Sequence, residues 1–102
     1  MEYRVEFDRH ALDQIERVYE RNAEHAPQAA ARWYAGVFKQ IESLKAFPRR
    51  CPVAPESRSI GAEVRELLYG KRHQVYRILY GIHDDVICIY QIWHSSKGST
   101  HS

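Results

Sequence analysis

Residues 64–97 read VRELLYGKRHQVYRILYGIHDDVICIYQIWHSSK, three runs dense in Val, Ile, Leu and Tyr parted by two short polar breaks. Side chains that are β-branched or aromatic fit an extended, half-buried surface, so each run predicts a strand. The breaks, Lys71-Arg72-His73 and His83-Asp84-Asp85, are short enough for hairpin connections. The expected strands are 63–69, 74–82 and 86–94, joined as an antiparallel meander.

Side-chain parity in this meander carries the strongest expectation. In the middle strand Tyr76, Ile78, Tyr80 and Ile82 share one face, and Val75, Arg77 and Leu79 share the other. In the last strand Cys88, Tyr90 and Ile92 alternate with Ile87, Ile89, Gln91 and Trp93. Both faces are mainly apolar, whereas a solvated antiparallel sheet shows one clean polar face. One face must therefore pack on the rest of the chain, and the other needs cover from a partner chain or a second copy. The residues expected on that second face are Leu67, Val75, Leu79, Ile89 and Trp93, with Arg65 and Arg77 among them.

The first half of the chain predicts helices. Residues 3–7 alternate as a short strand, and Asp8 then offers a carboxylate to the free N–H groups of a first helical turn. Phe7 and Leu12 are spaced for a hydrophobic staple across that cap. Leu12, Ile15, Val18 and Tyr19 follow helical spacing over 8–26. Pro27 disfavours a helical residue before it and suits the first turn of a second helix, expected over 26–47. There Ala30, Tyr34, Val37, Ile41 and Leu44 form an apolar stripe widened by Trp33 and Phe38. Two helices with almost no loop between them should pack antiparallel, on one face of the sheet. Residues 48–62, with Pro48, Pro52, Pro55, Gly61 and three arginines (Arg49, Arg50, Arg58), read as a loop. The fold class is α+β: strand, helical hairpin, Pro-rich loop and meander, in a single domain over 1–102.

Composition excludes several classes. With 102 residues, 44% hydrophobic and 27% charged, the chain suits one globular domain. A net charge of +2 announces no nucleic-acid binder, so any basic surface must come from clustering. No apolar run approaches a membrane span, and the opening MEYRVEFDRH lacks a signal-peptide core. Cys51 and Cys88 lack metal spacing; a disulfide between them is open but nothing in the sequence supports it, and a reduced, cytoplasmic protein is the expectation. His10, His25, His83 and His101 show no ligand arrangement, so neither a metal nor a cofactor is expected.

The order of these elements, together with Arg65, the run Tyr76-Arg77-Ile78-Leu79-Tyr80 and the closing His94-Ser95-Ser96-Lys97, resembles the RelE/ParE superfamily of toxins. These belong to bacterial type II toxin–antitoxin systems and include plasmid stabilisation proteins. The resemblance implies a cognate antitoxin that neutralises the chain and covers Leu67, Val75, Leu79 and Trp93; a homodimer is also open. It further implies one of two activities. RelE-like members cut messenger RNA on the ribosome as metal-independent endoribonucleases, and on that pattern Arg77, Arg65, Lys97 and His94 are the catalytic candidates. In that reading His94 is the general acid, and Glu56 or Glu63 a substitute base. The family's late tyrosine is absent, because the chain closes on GSTHS. ParE-like members instead inhibit DNA gyrase without a catalytic set, and a third possibility is an inactive member that only binds its antitoxin. Lys71, Arg72 and His73 form a basic turn suited to nucleic acid or gyrase. Against the catalytic readings, Arg77 could pair with Glu66, Arg65 could be an edge charge, and His94 could be structural.

Overall fold

A computed structural model describes residues 2–97, with the Lys97 side chain outside the description. The order is β1 (Arg4–Phe7), α1 (Arg9–Ala23), α2 (Pro27–Glu42), α3 (Ser57–Ile60), β2 (Arg65–Lys71), β3 (Gln74–His83) and β4 (Val86–His94). Short 3₁₀ turns at Ser43–Lys45, Pro48–Arg50 and Ser95–Lys97 complete the chain. The sheet order is β1-β4-β3-β2: β2, β3 and β4 form the antiparallel meander, and β1 joins β4 in parallel.

The helices start where local chemistry allows. The Asp8 carboxylate accepts from the His10 N–H at 2.8 Å, capping α1. At the far end, Ala26 sits at φ −147°, outside the helical region, because the Pro27 ring crowds a helical residue before it. That is why α1 stops at Ala23 rather than running to residue 26, while α2 begins on Pro27 as its spacing predicts. Past Glu42 the chain tightens into the Ser43–Lys45 turn, so the expected 26–47 helix is shorter by one turn of different pitch. Tyr34 on α2 donates to Glu16 on α1, tying the hairpin together.

Both helices lie on one face of the sheet, as expected. Ala11, Ile15 and Val18 of α1 and Val37 and Ile41 of α2 share one core with Tyr76, Ile78 and Tyr80 of β3. Ile87, Ile89 and Ile92 of β4 and Leu67 of β2 belong to the same core. Two of these placements correct the sequence expectation. Strand parity puts Ile89 and Leu67 on the far face, yet both are buried under the helices. For β4 the reason is a bulge: Tyr80 pairs with Ile89 while Leu79 pairs with Gln91, which leaves Tyr90 as an extra residue. Beyond it the alternation changes phase, so Ile92 joins Ile87 and Ile89 and parts from Tyr90. For β2, Leu67 stands opposite Ile78 and Arg65 opposite Tyr80, which places both on the helix side.

The second face is covered in part by the chain itself. Ala54 and Val64 pack on Leu79, with Tyr90 and Trp93 at the margin. The segment 51–64 acts as a strap along the edge of β2. The Ala54 N–H donates to the Val64 carbonyl at 2.8 Å, and the Glu66 N–H to the Pro52 carbonyl at 3.0 Å. The Ser57 hydroxyl both donates to the Val64 carbonyl and accepts from its N–H, each at 3.0 Å. The expectation that no segment of this chain reaches that face is corrected: a Pro-rich loop needs no regular element to shield apolar side chains.

Candidate functional site

Arg77 projects from the middle of β3 onto the second face, where the strap closes over it and leaves it 8% exposed. Glu56, carried by the strap just before α3 and 7% exposed, meets the guanidinium as a fork, Nη1 to Oε2 at 2.9 Å and Nη2 to Oε1 at 2.8 Å. Glu66, on β2, accepts from Nε at 3.0 Å and from Nη2 at 2.5 Å. Trp93 lies beneath, its ring centroid 5.4 Å from the guanidinium carbon. A two-point fork to a carboxylate is among the strongest hydrogen-bonding arrangements a side chain can make. The hydrogen bonds to Glu56, with those to Glu66, hold the Arg77 pKa above its ordinary value despite burial. The group is thus a permanently charged cation already matched by two carboxylates. The pairing with Glu66 is the one the sequence suggests; the two-point fork is with the more buried Glu56, which the sequence offers only as a substitute base.

The other residues implied by the resemblance do not gather around Arg77. Arg65 lies on the helix side and reaches into the Pro-rich loop. It donates from Nη1 to the Cys51 carbonyl at 2.7 Å and the Arg49 carbonyl at 3.2 Å. From Nη2 it reaches the exposed Glu63 carboxylate at 3.4 Å. Its Nε is buried without a partner among the described residues. His94, opposite Tyr76, is also on the helix side, with its ring edge-on to Tyr76 at 5.2 Å. Its Nδ1 accepts from the Ser96 N–H at 3.0 Å and its Nε2 lies 2.6 Å from the His73 carbonyl. A carbonyl can only accept, so that pattern assigns the neutral tautomer with the proton on Nε2. Lys97 ends the last 3₁₀ turn, and its side chain is outside the description. His101 and the closing GSTHS lie outside the described residues. Arg65 and His94 therefore stand on the opposite side of the sheet from Arg77.

The residues expected to meet an antitoxin also separate. Leu67 is in the helix-side core, and Leu79, at 2% exposure, lies under the strap. Val75 and Trp93 are half-buried on the second face. Leu68, which the sequence pattern did not single out, is 54% exposed and stands opposite Arg77, with Trp93 opposite Arg77 on the other side. Leu68, Arg77 and Trp93 thus form one row across three strands. The signal for Leu68 was available in its parity once the 71–74 turn fixed the register. At that turn Lys71, Arg72 and His73 are exposed. Arg72 adopts φ 56°, a left-handed conformation that a side chain of its size seldom takes.

Both cysteines are free thiols: Cys51 belongs to the helix-side core, and burial pushes the half-buried Cys88 thiol up from its ordinary pKa. Among the described residues, no group of three His, Cys, Asp or Glu converges as a metal site. Among them, too, no helix is long and apolar enough to cross a membrane.

Comparison with known proteins agrees with this architecture. The family model described as ParE toxin of type II toxin-antitoxin system, parDE, matches residues 5–98. A solved chain from a chromosomal ParDE toxin–antitoxin system of P. aeruginosa superposes with a TM-score of 0.71 at 16% identity. The superposition covers 90% of this chain and 95% of that one, and at this identity it speaks to the fold alone. No curated protein matches in sequence.

Proposed function

Because the chain belongs to the ParE toxin family of type II toxin–antitoxin systems, the toxin component that a cognate antitoxin partners, we propose that it arrests growth by binding DNA gyrase in the cytoplasm rather than by cutting messenger RNA. The observation that carries this reading is the state of Arg77. An RNase of the related type needs a strand arginine whose charge meets the scissile phosphate as negative charge develops there. Here that arginine is buried and forked to Glu56, with Glu66 completing the set. A phosphate would have to displace two carboxylates that are already in place. The histidine and second arginine that such a site would add lie across the sheet from it. A toxin that acts by occupying its target needs a complementary surface, not an assembled proton-transfer site.

The antitoxin is proposed to cover what the strap leaves open on the second face, namely Leu68, Val75 and Trp93. Leu67 and Leu79 contribute to that contact only through the cores they hold in place. An exposed aliphatic and an aromatic margin beside a buried charge set resemble an interface anchor more than a solvated surface.

Induction of the toxin in growing cells tests the mechanism. Gyrase inhibition predicts relaxed plasmid DNA and disturbed nucleoids before protein synthesis falls. Prompt loss of translation with messenger RNA cut at ribosome-bound codons, and plasmid topology unchanged, contradicts the reading.

A further inference from the structure

Between α1 and the end of β4 lies a cavity of about 220 Å³ lined by Gln14, Arg17 and Arg21 together with Trp93 and His94. We infer that Arg17 and Arg21, joined by the Lys71–His73 turn, form a seat for the phosphate backbone of duplex DNA. This rests on the reading that the target is an enzyme that handles duplex DNA, and it adds a contact that the reading does not require.

Five observations carry it. Arg17 and Arg21 are one helical turn apart, so both guanidinium groups are offered to the same side. Neither has an ion pair among the described residues. Asp13, Glu16 and Glu20 of the same helix do not line the cavity, and Glu16 is engaged by Tyr34. The floor is held in place: Gln14 Oε1 accepts from the Ile92 N–H at 2.8 Å, and His94 is bonded through both ring nitrogens. The fifth is continuity. The His94–His73 hydrogen bond at 2.6 Å brings the exposed turn with Lys71 and Arg72 to the same end of the molecule. One carboxylate or a small anion would use the two arginines and leave the turn idle. A polymer with a phosphate at every step engages both groups, and phosphate contacts set position without requiring a base sequence.

The test is fluorescence anisotropy of the purified toxin with a short labelled DNA duplex, over a series of salt concentrations. The parallel ligands are single-stranded RNA of equal length and polyglutamate. The expected result is duplex binding that weakens steeply with salt. Arg17→Gln with Arg21→Gln should lower affinity by roughly tenfold and reduce the log–log salt slope by about two. A charge-matched control, Arg9→Gln with Lys39→Gln, should change neither, and far-UV circular dichroism should show all variants folded. Equal loss in the control, no loss in the Arg17/Arg21 variant, or tighter binding of single-stranded RNA or polyglutamate overturns the inference. Gyrase inhibition is scored separately. Inhibition without DNA binding removes this inference and leaves the proposed function standing; DNA binding without inhibition does the reverse.

Discussion

Replacing Arg77 by alanine tests the central charge set where its energetics are largest. The substitution removes the guanidinium that forks to Glu56, a carboxylate only 7% exposed. Breaking a buried pair from one side costs about 3–5 kcal/mol, because a desolvated charge is left behind. Glu66 suffers less, since its side chain is 21% exposed and can turn to water. A domain of this size loses about 4–8 °C of thermal midpoint per kcal/mol, so the drop should be roughly 12–40 °C. With total stability typically about 5–15 kcal/mol, the variant is marginal at best. The assay is thermal unfolding of the isolated toxin by circular dichroism, with fluorescence of a Trp33→Phe background, in which Trp93 is the remaining tryptophan, as the local readout. A companion variant separates charge from packing: Arg77→Met with Glu56→Gln removes both buried charges and should recover at least half of the loss. An Arg77→Ala midpoint within about 3 °C of wild type would refute the reasoning, since it would mean the set is solvated and the strap loosely held.

Other outcomes follow from the same packing. Leu79→Asp should destabilise the isolated toxin by several kcal/mol, because it puts a carboxylate against Ala54 and Val64; an unchanged midpoint in urea unfolding would return Leu79 to the surface. Gly36→Ala should cost about 1–3 kcal/mol, since its new methyl would overlap the Tyr69 hydroxyl and disturb the bond from that hydroxyl to the Trp33 carbonyl. A variant as stable as the parent would show that Tyr69 yields freely. Burial holds the Tyr80 phenol above the ordinary tyrosine range, as it does for Tyr69. Below pH ~10 both folded and unfolded chains keep these protons; above it the unfolded chain loses them first, so stability should fall as pH rises. Tyr80→Phe should flatten that fall, and an identical slope in the variant would contradict the assignment.

Much of the fold is legible in the chain because its signals are local. Asp8 caps, Pro27 starts a helix, and the stripe from Ala30 to Ile41 faces the sheet, each through contacts within a few residues. The meander follows from runs that differ sharply from their breaks. What the pattern misses is set by partners distant in sequence. Period-two alternation assumes an unbroken ladder, and the extra residue at Tyr90 reverses the phase for Ile92 and Trp93 without any mark in composition. The strap is hidden for a different reason: Pro52, Pro55 and Ser57 carry no periodicity, so nothing predicts that Ala54 and Val64 will cover Leu79. With the strap goes Glu56, whose fork to Arg77 spans twenty-one residues. Arg17 and Arg21 were lost among the alternating charges of an exposed helix face.

A titration of purified gyrase with the isolated toxin, following ATP-dependent supercoiling of relaxed plasmid, bears most directly on the claim that this protein works by occupancy. The account predicts supercoiling that falls in proportion to toxin added and is abolished near one toxin per gyrase site. Premixing with the cognate antitoxin should restore it, and no messenger RNA should be cut in a parallel ribosome reaction. Undiminished supercoiling at excess toxin, with ribosome-bound messenger RNA cleaved many times over by each toxin molecule, would contradict it.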